Sequence, residues 1–143
     1  MTTAQRVFDL TMALMDEMSE TGATDTADTT EYKNRTLNIL NVLRGELYPY
    51  SDTYLDDESG KRPIAVVIQN FTDVIALDDY ICQSILPYGL AAHLLLDENP
   101  SSASFFQQKY DELKVGLARG MPKTSEDIED IYGSFSHCEF GRW

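Results

Sequence analysis

The sequence predicts a mainly α fold: a bundle of four principal helices, with a long loop or a short strand pair between helices two and three, and an apolar C-terminal tail. Three observations carry this. Apolar residues recur at spacings of three and four in four separate stretches. Short polar runs rich in Gly, Pro, Asp and Thr part those stretches. A length of 143 residues with 43% apolar content suits one core that needs no disulfide staple. Residues 1–122 are expected to form the bundle and residues 123–143 a C-terminal tail or docking segment.

The first helix is expected from Thr3 to Ser19, with Val7, Leu10, Leu14 and Met18 as its stripe and Phe8, Met12 and Met15 broadening it. Thr2 or Thr3 caps its start, and Gly22 ends the pattern. TGATDTADTTEY then has no apolar period and reads as a loop, with Asp28 or Thr29 capping the next helix. That second helix spans Thr30 to Leu47. Thr36, Leu40, Leu43 and Leu47 line one side, and Pro49 halts it because proline disfavours helical geometry in the residue before it.

YSDTYLDDESGKRP is a charged loop. Ile64 to Leu77 is ambiguous: its β-branched residues favour strand weakly, and an irregular packed segment fits equally. The third helix starts at Asp78 or Asp79. Ile81, Ile85, Tyr88, Ala92 and Leu95 share one face, and Cys82, Leu86, Gly89, His93 and Leu96 the other. A helix apolar on most sides is buried on most sides, so this is the expected central helix. Pro87 should bend it by removing a backbone donor and crowding Gln83. Gly89 should let a neighbour approach closely. DENP closes it, with Asn99 as cap and Pro100 in the first turn of helix four. Phe106, Tyr110, Leu113 and Leu117 set that helix's stripe, with Phe105 beside it, and Gly120 and Pro122 end it. So short a connection makes helices three and four antiparallel neighbours.

The formal charge is −13, from 24 acidic and 11 basic residues. Such a surface repels phosphate, which argues against nucleic-acid binding as the main task and against an anionic membrane surface. No apolar run is long enough for a membrane span. Acidic residues interrupt the first twenty positions, so no signal peptide is expected, and the default expectation is a reduced cytoplasm. The sequons at Asn34 and Asn70 then read as chance.

No chemistry has a distinguishing signature. LDDES and LDDY lack the ligand offsets of a calcium loop and read as solvated charges or helix caps. His93 and Asp97 lie four apart on one face, the arrangement of an oriented general base, but also that of a histidine at a helix contact or near the surface. Cys82 reads as a small buried apolar residue. His137 and Cys138, with the other two candidate ligands scattered, do not make a zinc set. Phosphate-cradling and esterase motifs are absent. No catalytic, cofactor or metal residue is therefore assigned.

The stretch LDDYICQSILPYGLAAHLLLDENPSSASFFQQKYDEL, Leu77 to Leu113, resembles the head–tail connector (adaptor) proteins of tailed phages and prophages, in the form common in Gram-positive hosts. SEDIEDIYG in the tail is similar too, so the likeness covers about the last half of the chain. Ile64 to Thr72 departs from the pattern. The resemblance implies a non-enzymatic helical subunit that forms a homo-oligomeric ring between portal and tail-stopper proteins. DNA would pass through that ring without specific binding. It implies assembly in the host cytoplasm and residence at the virion's head–tail junction. An acidic channel wall would suit sliding DNA. A small acidic regulator or inhibitor of a basic partner, with DNA mimicry as its extreme, is the alternative.

The tail is apolar beyond what a solvated end needs. Ile128, Ile131 and Tyr132 are expected to lie back on the bundle. Phe135, Phe140, Arg142 and Trp143 are the candidate partner-binding residues, because Trp and Arg dominate interface energetics. Packing of Trp143 onto its own core, or no packing at all, is the competing expectation.

Overall fold

The computed structural model describes residues 1–51 and 66–120. Helix α1 (Ala4–Met15) begins at Thr3, whose hydroxyl accepts from the Arg6 N–H at 3.3 Å. It buries Ala4, Val7, Phe8, Thr11 and Met12. The expected stripe is thus rotated: Phe8 and Met12 lie in the core, while Leu14 and Met18 are exposed. The helix also stops short of Ser19. Asp16 turns left-handed at φ 60°, and the N–H groups of Asp16 and Glu17 bond the Ala13 and Met12 carbonyls. This reversal satisfies two otherwise orphaned acceptors. The following loop is tied to α1 by the Thr24 hydroxyl, which donates to Asp9 at 2.6 Å.

Helix α2 (Thr30–Leu47) starts after Thr29, as expected, but the Thr29 hydroxyl does not cap it. It donates instead to the Thr24 carbonyl and accepts from the Thr26 N–H, so it braces the loop. Thr36, Leu40, Leu43 and Leu47 are buried together with Tyr32 and Arg44. Pro49 sits in a 3-10 turn, Tyr48–Tyr50, that ends the helix.

Among the described residues no strand pair forms between α2 and the next helix. Residues 66–78 are an irregular packed segment with one antiparallel bridge, Thr3 to Val74. The reason lies in its partners. The first turn of α1 has N–H groups with no intrahelical acceptor, and this segment supplies acceptors: Ala4 and Gln5 donate to the Asp73 and Phe71 carbonyls at 3.1 and 2.9 Å. From the other side, the Asn41 side chain accepts from the Ile68 N–H at 2.8 Å and donates to its carbonyl at 2.9 Å. These bonds hold the segment against the bundle without a sheet. Ile68, Ile75 and Leu77 enter the core, while Val66 is 74% exposed. Asp73 folds the intervening turn by accepting from the N–H groups of Gln69 and Asn70, both at 2.8 Å. Those two N–H bonds, that of Asn70 first, hold its carboxyl below the usual carboxylate range.

The third expected helix is two helical segments: α3 (Asp79–Ser84) and α4 (Leu86–Leu94), separated by Ile85 at φ −111°, ψ −51°. Leu86 to Tyr88 is helical, so no loop forms there, but the expected single bent helix is interrupted at Ile85 and Pro87 sits in the first turn of α4, where a backbone donor is not needed. Proline cannot donate to the Gln83 carbonyl. Beyond it, the N–H groups of Tyr88 and Gly89 both reach the Ile85 carbonyl, at 3.2 and 3.4 Å. Asp79, in the first turn of α3, accepts from the Thr2 hydroxyl at 2.7 Å and the Met1 amino nitrogen at 3.1 Å. The Thr2 bond chiefly, then the amino group, lowers its carboxyl's pKa.

Helix α5 (Pro100–Gly120) is capped by Asn99, whose side chain accepts from the Ser102 N–H at 3.1 Å. It runs antiparallel to α4: Ala92 and Leu95 cluster with Ala103 and Phe106, while Gly89, earlier in α4, meets Tyr110, later in α5. Helix α4 packs on α1, α2, α3 and α5 and is the centre of the bundle. Its sequence explains this. Gly89, Ala91 and Ala92 are small enough for neighbours to approach, and Leu86, Leu90 and Leu94 are fully buried. A Cβ on Gly89 would lie 2.9 Å from the Tyr110 ring and 3.2 Å from Leu43. Gly89 is therefore where α2 and α5 close on α4.

Candidate interaction surface

The residues singled out for chemistry are dispersed. Cys82 on α3 is fully buried, and its thiol points to the Leu77 carbonyl at 3.8 Å. Burial, then the nearby Asp79 and Asp78 charges, pushes the thiol up to about 12. A thiol so protonated is a poor nucleophile. His93 is exposed on the last turn of α4. No hydrogen bond or ion pair joins it to Asp97; its backbone carbonyl instead accepts from the Arg35 guanidinium at 3.2 Å. Among the described residues no three His, Cys, Asp or Glu side chains are placed to hold a metal ion. Of the acidic clusters, Asp79 serves helix-end bonding, while LDDES lies outside the described residues. His137, Cys138 and the partner-binding candidates Phe135, Phe140, Arg142 and Trp143 also lie outside them.

Two polar contacts inside the bundle escaped sequence reading. The buried Tyr110 hydroxyl donates to Glu46 at 2.7 Å, and Lys114 reaches the same oxygen at 3.4 Å. The buried Tyr32 hydroxyl donates to Glu98. Burial is the main cause, and the facing carboxylate the next, that raises the pKa of both phenols. Arg44 is also buried, and its Nε has no hydrogen-bond partner among the described residues. Desolvation lowers its pKa. Its place in the 3.6-residue pattern beside Leu40, Leu43 and Leu47 was the available signal.

What the structure presents most clearly is a surface. One face of the third expected helix was expected to be buried along its length, through Cys82, Leu86, Gly89, His93 and Leu96. It is buried only as far as Gly89. His93 and Leu96 emerge into solvent, with Leu96 60% exposed. There they meet the outer side of α5 and form an open groove of about 910 Å³. Ala92 and Leu96 line one wall, and Pro100, Ala103 and Val115 the other, with Arg119 at the far end. The carboxylates along it are bonded within α5: Asp111 accepts from Gln107 at 3.0 Å and Glu112 from Gln108 at 3.3 Å. The groove therefore offers apolar contact along its floor and a cation at one end, a surface fit for packing an amphipathic segment. Phe105 adds a further exposed ring, 62% accessible, edge-on to Phe106.

No protein-family model, curated protein or solved structure matches the chain. Among the described residues no helix is long and apolar enough to cross a membrane.

Proposed function

We propose that the chain is a non-enzymatic assembly subunit, of the kind that forms a ring between the portal and the tail of a tailed phage. The observation that carries this reading is the stretch from Leu77 to Leu113, with its resemblance to head–tail connector proteins. Its most distinctive residues have structural work: Pro87 in the first turn of α4, Gly89 at the three-helix contact, and Asn99 and Pro100 at the turn into α5. The motif therefore specifies a shape, which suits a protein whose task is to fit against copies and neighbours. The exposed apolar groove and the aromatic tail give such a subunit surfaces to use, with Phe135, Phe140, Arg142 and Trp143 as the residues that reach a neighbour or the portal. On this reading the subunit assembles in the host cytoplasm and resides at the head–tail junction, with DNA passing through the ring.

The charge of −13 favours one second reading, a regulator or inhibitor that binds a basic partner. Gene neighbourhood and pull-down together distinguish the two. Flanking genes for portal, capsid and tail proteins, with capture of the portal protein by the immobilised chain, support the assembly reading. Flanking genes for a nucleic-acid-binding protein, with capture of that protein and competition by DNA, overturn it in favour of the second.

A further inference from the structure

We propose that the outer face of α1, with the loop that follows it, is a docking site for a basic amphipathic helix presented by another protein. Helix α1 carries apolar residues that its own bundle does not use. Leu14 is 38% exposed and Met18 42%, and Leu10 is half-buried. The left-handed turn at Asp16 ends the helix and turns the chain back, so that Leu10, Ala13 and Met18 line an open groove of about 550 Å³ between α1 and residues 22–25. The outer wall of this groove is held in place. The Ser19 N–H donates to the Ala23 carbonyl at 3.0 Å, and the Gly22 N–H to the Ser19 carbonyl at 2.8 Å. The Ala23 N–H reaches the Ser19 hydroxyl at 3.0 Å, the Thr24 hydroxyl ties the loop to Asp9, and Lys33 pairs with Asp25. Gly22, at φ 80°, takes a left-handed conformation open to glycine without strain. A groove already formed loses less freedom on binding than one that must fold around its ligand.

Charge chooses the occupant. Six carboxylates and no basic residue occur from Asp9 to Asp28, and Asp9 and Asp25 line the groove itself. Arg6, one turn before Leu10, is the cation that lines it. Such a rim repels phosphate and anionic headgroups and attracts Lys and Arg. Leu10, Leu14 and Met18, four residues apart, ask for a ligand with one apolar side, which an amphipathic helix lays into a groove. Met18 is unbranched and polarizable and adapts to such contacts. A second copy of the chain, at −13, is a poor complement. The inference does not rest on the assembly reading; it concerns this face alone.

Peptide titration of the full chain at physiological salt tests it. The probe is a leucine–lysine peptide of about 18 residues, five turns of amphipathic helix. Two reference peptides accompany it: the same composition in scrambled order, and the same pattern with glutamate in place of lysine. Calorimetry reads binding and circular dichroism reads helix formation. The leucine–lysine helix should bind and gain helicity, roughly tenfold more tightly than the scrambled form, which offers charge without an apolar side. The glutamate form should not bind. Leu14→Gln with Met18→Gln should weaken binding roughly tenfold, as for loss of central anchors. Leu96→Gln with Val115→Gln, in the α4–α5 groove, should leave it unchanged. All four side chains are exposed, so both variants should keep their melting temperature. Equal binding by the scrambled peptide, a loss no greater for the Leu14 and Met18 pair than for the Leu96 and Val115 pair, or no binding at all would overturn the proposal. So would self-association without peptide that Leu14→Gln with Met18→Gln abolishes, which would assign the face to a second copy.

Discussion

Gly89 and Gly116 make the clearest case that context decides what a residue does. Both are helical glycines, yet a Cβ at Gly89 would strike the Tyr110 ring while one at Gly116 meets nothing within 4 Å. Gly116→Ala should stabilise the protein by about 0.5–1 kcal/mol through helix propensity. Gly89→Ala has the same propensity gain, but overpacking costs roughly 1–3 kcal/mol and should prevail. Urea titration of the two variants should show midpoints moving in opposite directions. The glycine's role was legible in the sequence, because a small residue inside an apolar run signals close approach. Which helix approaches was not legible, since that depends on the fold. Tyr110 was legible only as a core aromatic; its bond to Glu46 joins residues 64 apart. That bond gives a pH prediction. Tyr110 and Tyr32 hold their protons more tightly in the fold than in the unfolded chain, where tyrosine ionises near pH 10. Their contribution is thus complete below about pH 10 and is lost as pH rises above it. Absorbance of tyrosinate and far-UV circular dichroism, followed together, should show these two rings ionising with unfolding and not before it. Tyr110→Phe should remove part of this alkaline transition and cost about 1 kcal/mol at neutral pH.

The elements show how periodicity was read well and where it misled. Helices α2 and α5 and the α4–α5 turn follow their patterns, because each has a strong stripe and a clear cap or stop. In α1 the period was right, but the stripe was rotated: Ala4, Phe8, Thr11 and Met12 are buried with Val7, while Leu14 is exposed within the helix and Met18 beyond the left-handed turn at Asp16. The 66–78 segment failed differently. Its β-branched residues fit a strand, but its backbone is satisfied by the start of α1 and by the Asn41 side chain, and neither partner is adjacent in sequence. Asn41 is the residue most worth changing there. Asn41→Ala leaves the Ile68 N–H and carbonyl without that partner, for a loss of about 1–3 kcal/mol. Hydrogen exchange should quicken at Ile68 more than in α5; uniform quickening or none would count against this role for Asn41.

At the scale of the molecule, the helices close around α4 and leave an apolar groove on one side, and the whole chain carries a net charge of −13. Those two properties pull association in opposite directions. Like-charge repulsion opposes association of copies, and salt weakens that repulsion, since charges separated by more than about 8–10 Å are largely screened at physiological ionic strength. The surface was only half legible in advance. Leu96 sits in an apolar run that read as core, and it is exposed because α4 ends at Leu94, before that run does. The assembly reading turns on the tail, and one comparison addresses it: sedimentation velocity with electron microscopy on the full chain and on a chain ending at Gly133, across protein concentration and salt. The full chain should be monomeric when dilute at low salt and should form closed rings at high concentration and high salt. The shortened chain should keep its melting temperature and stay monomeric throughout. A full chain that stays monomeric under every condition, rings indifferent to salt, or a shortened chain that assembles as well as the full one would contradict the account.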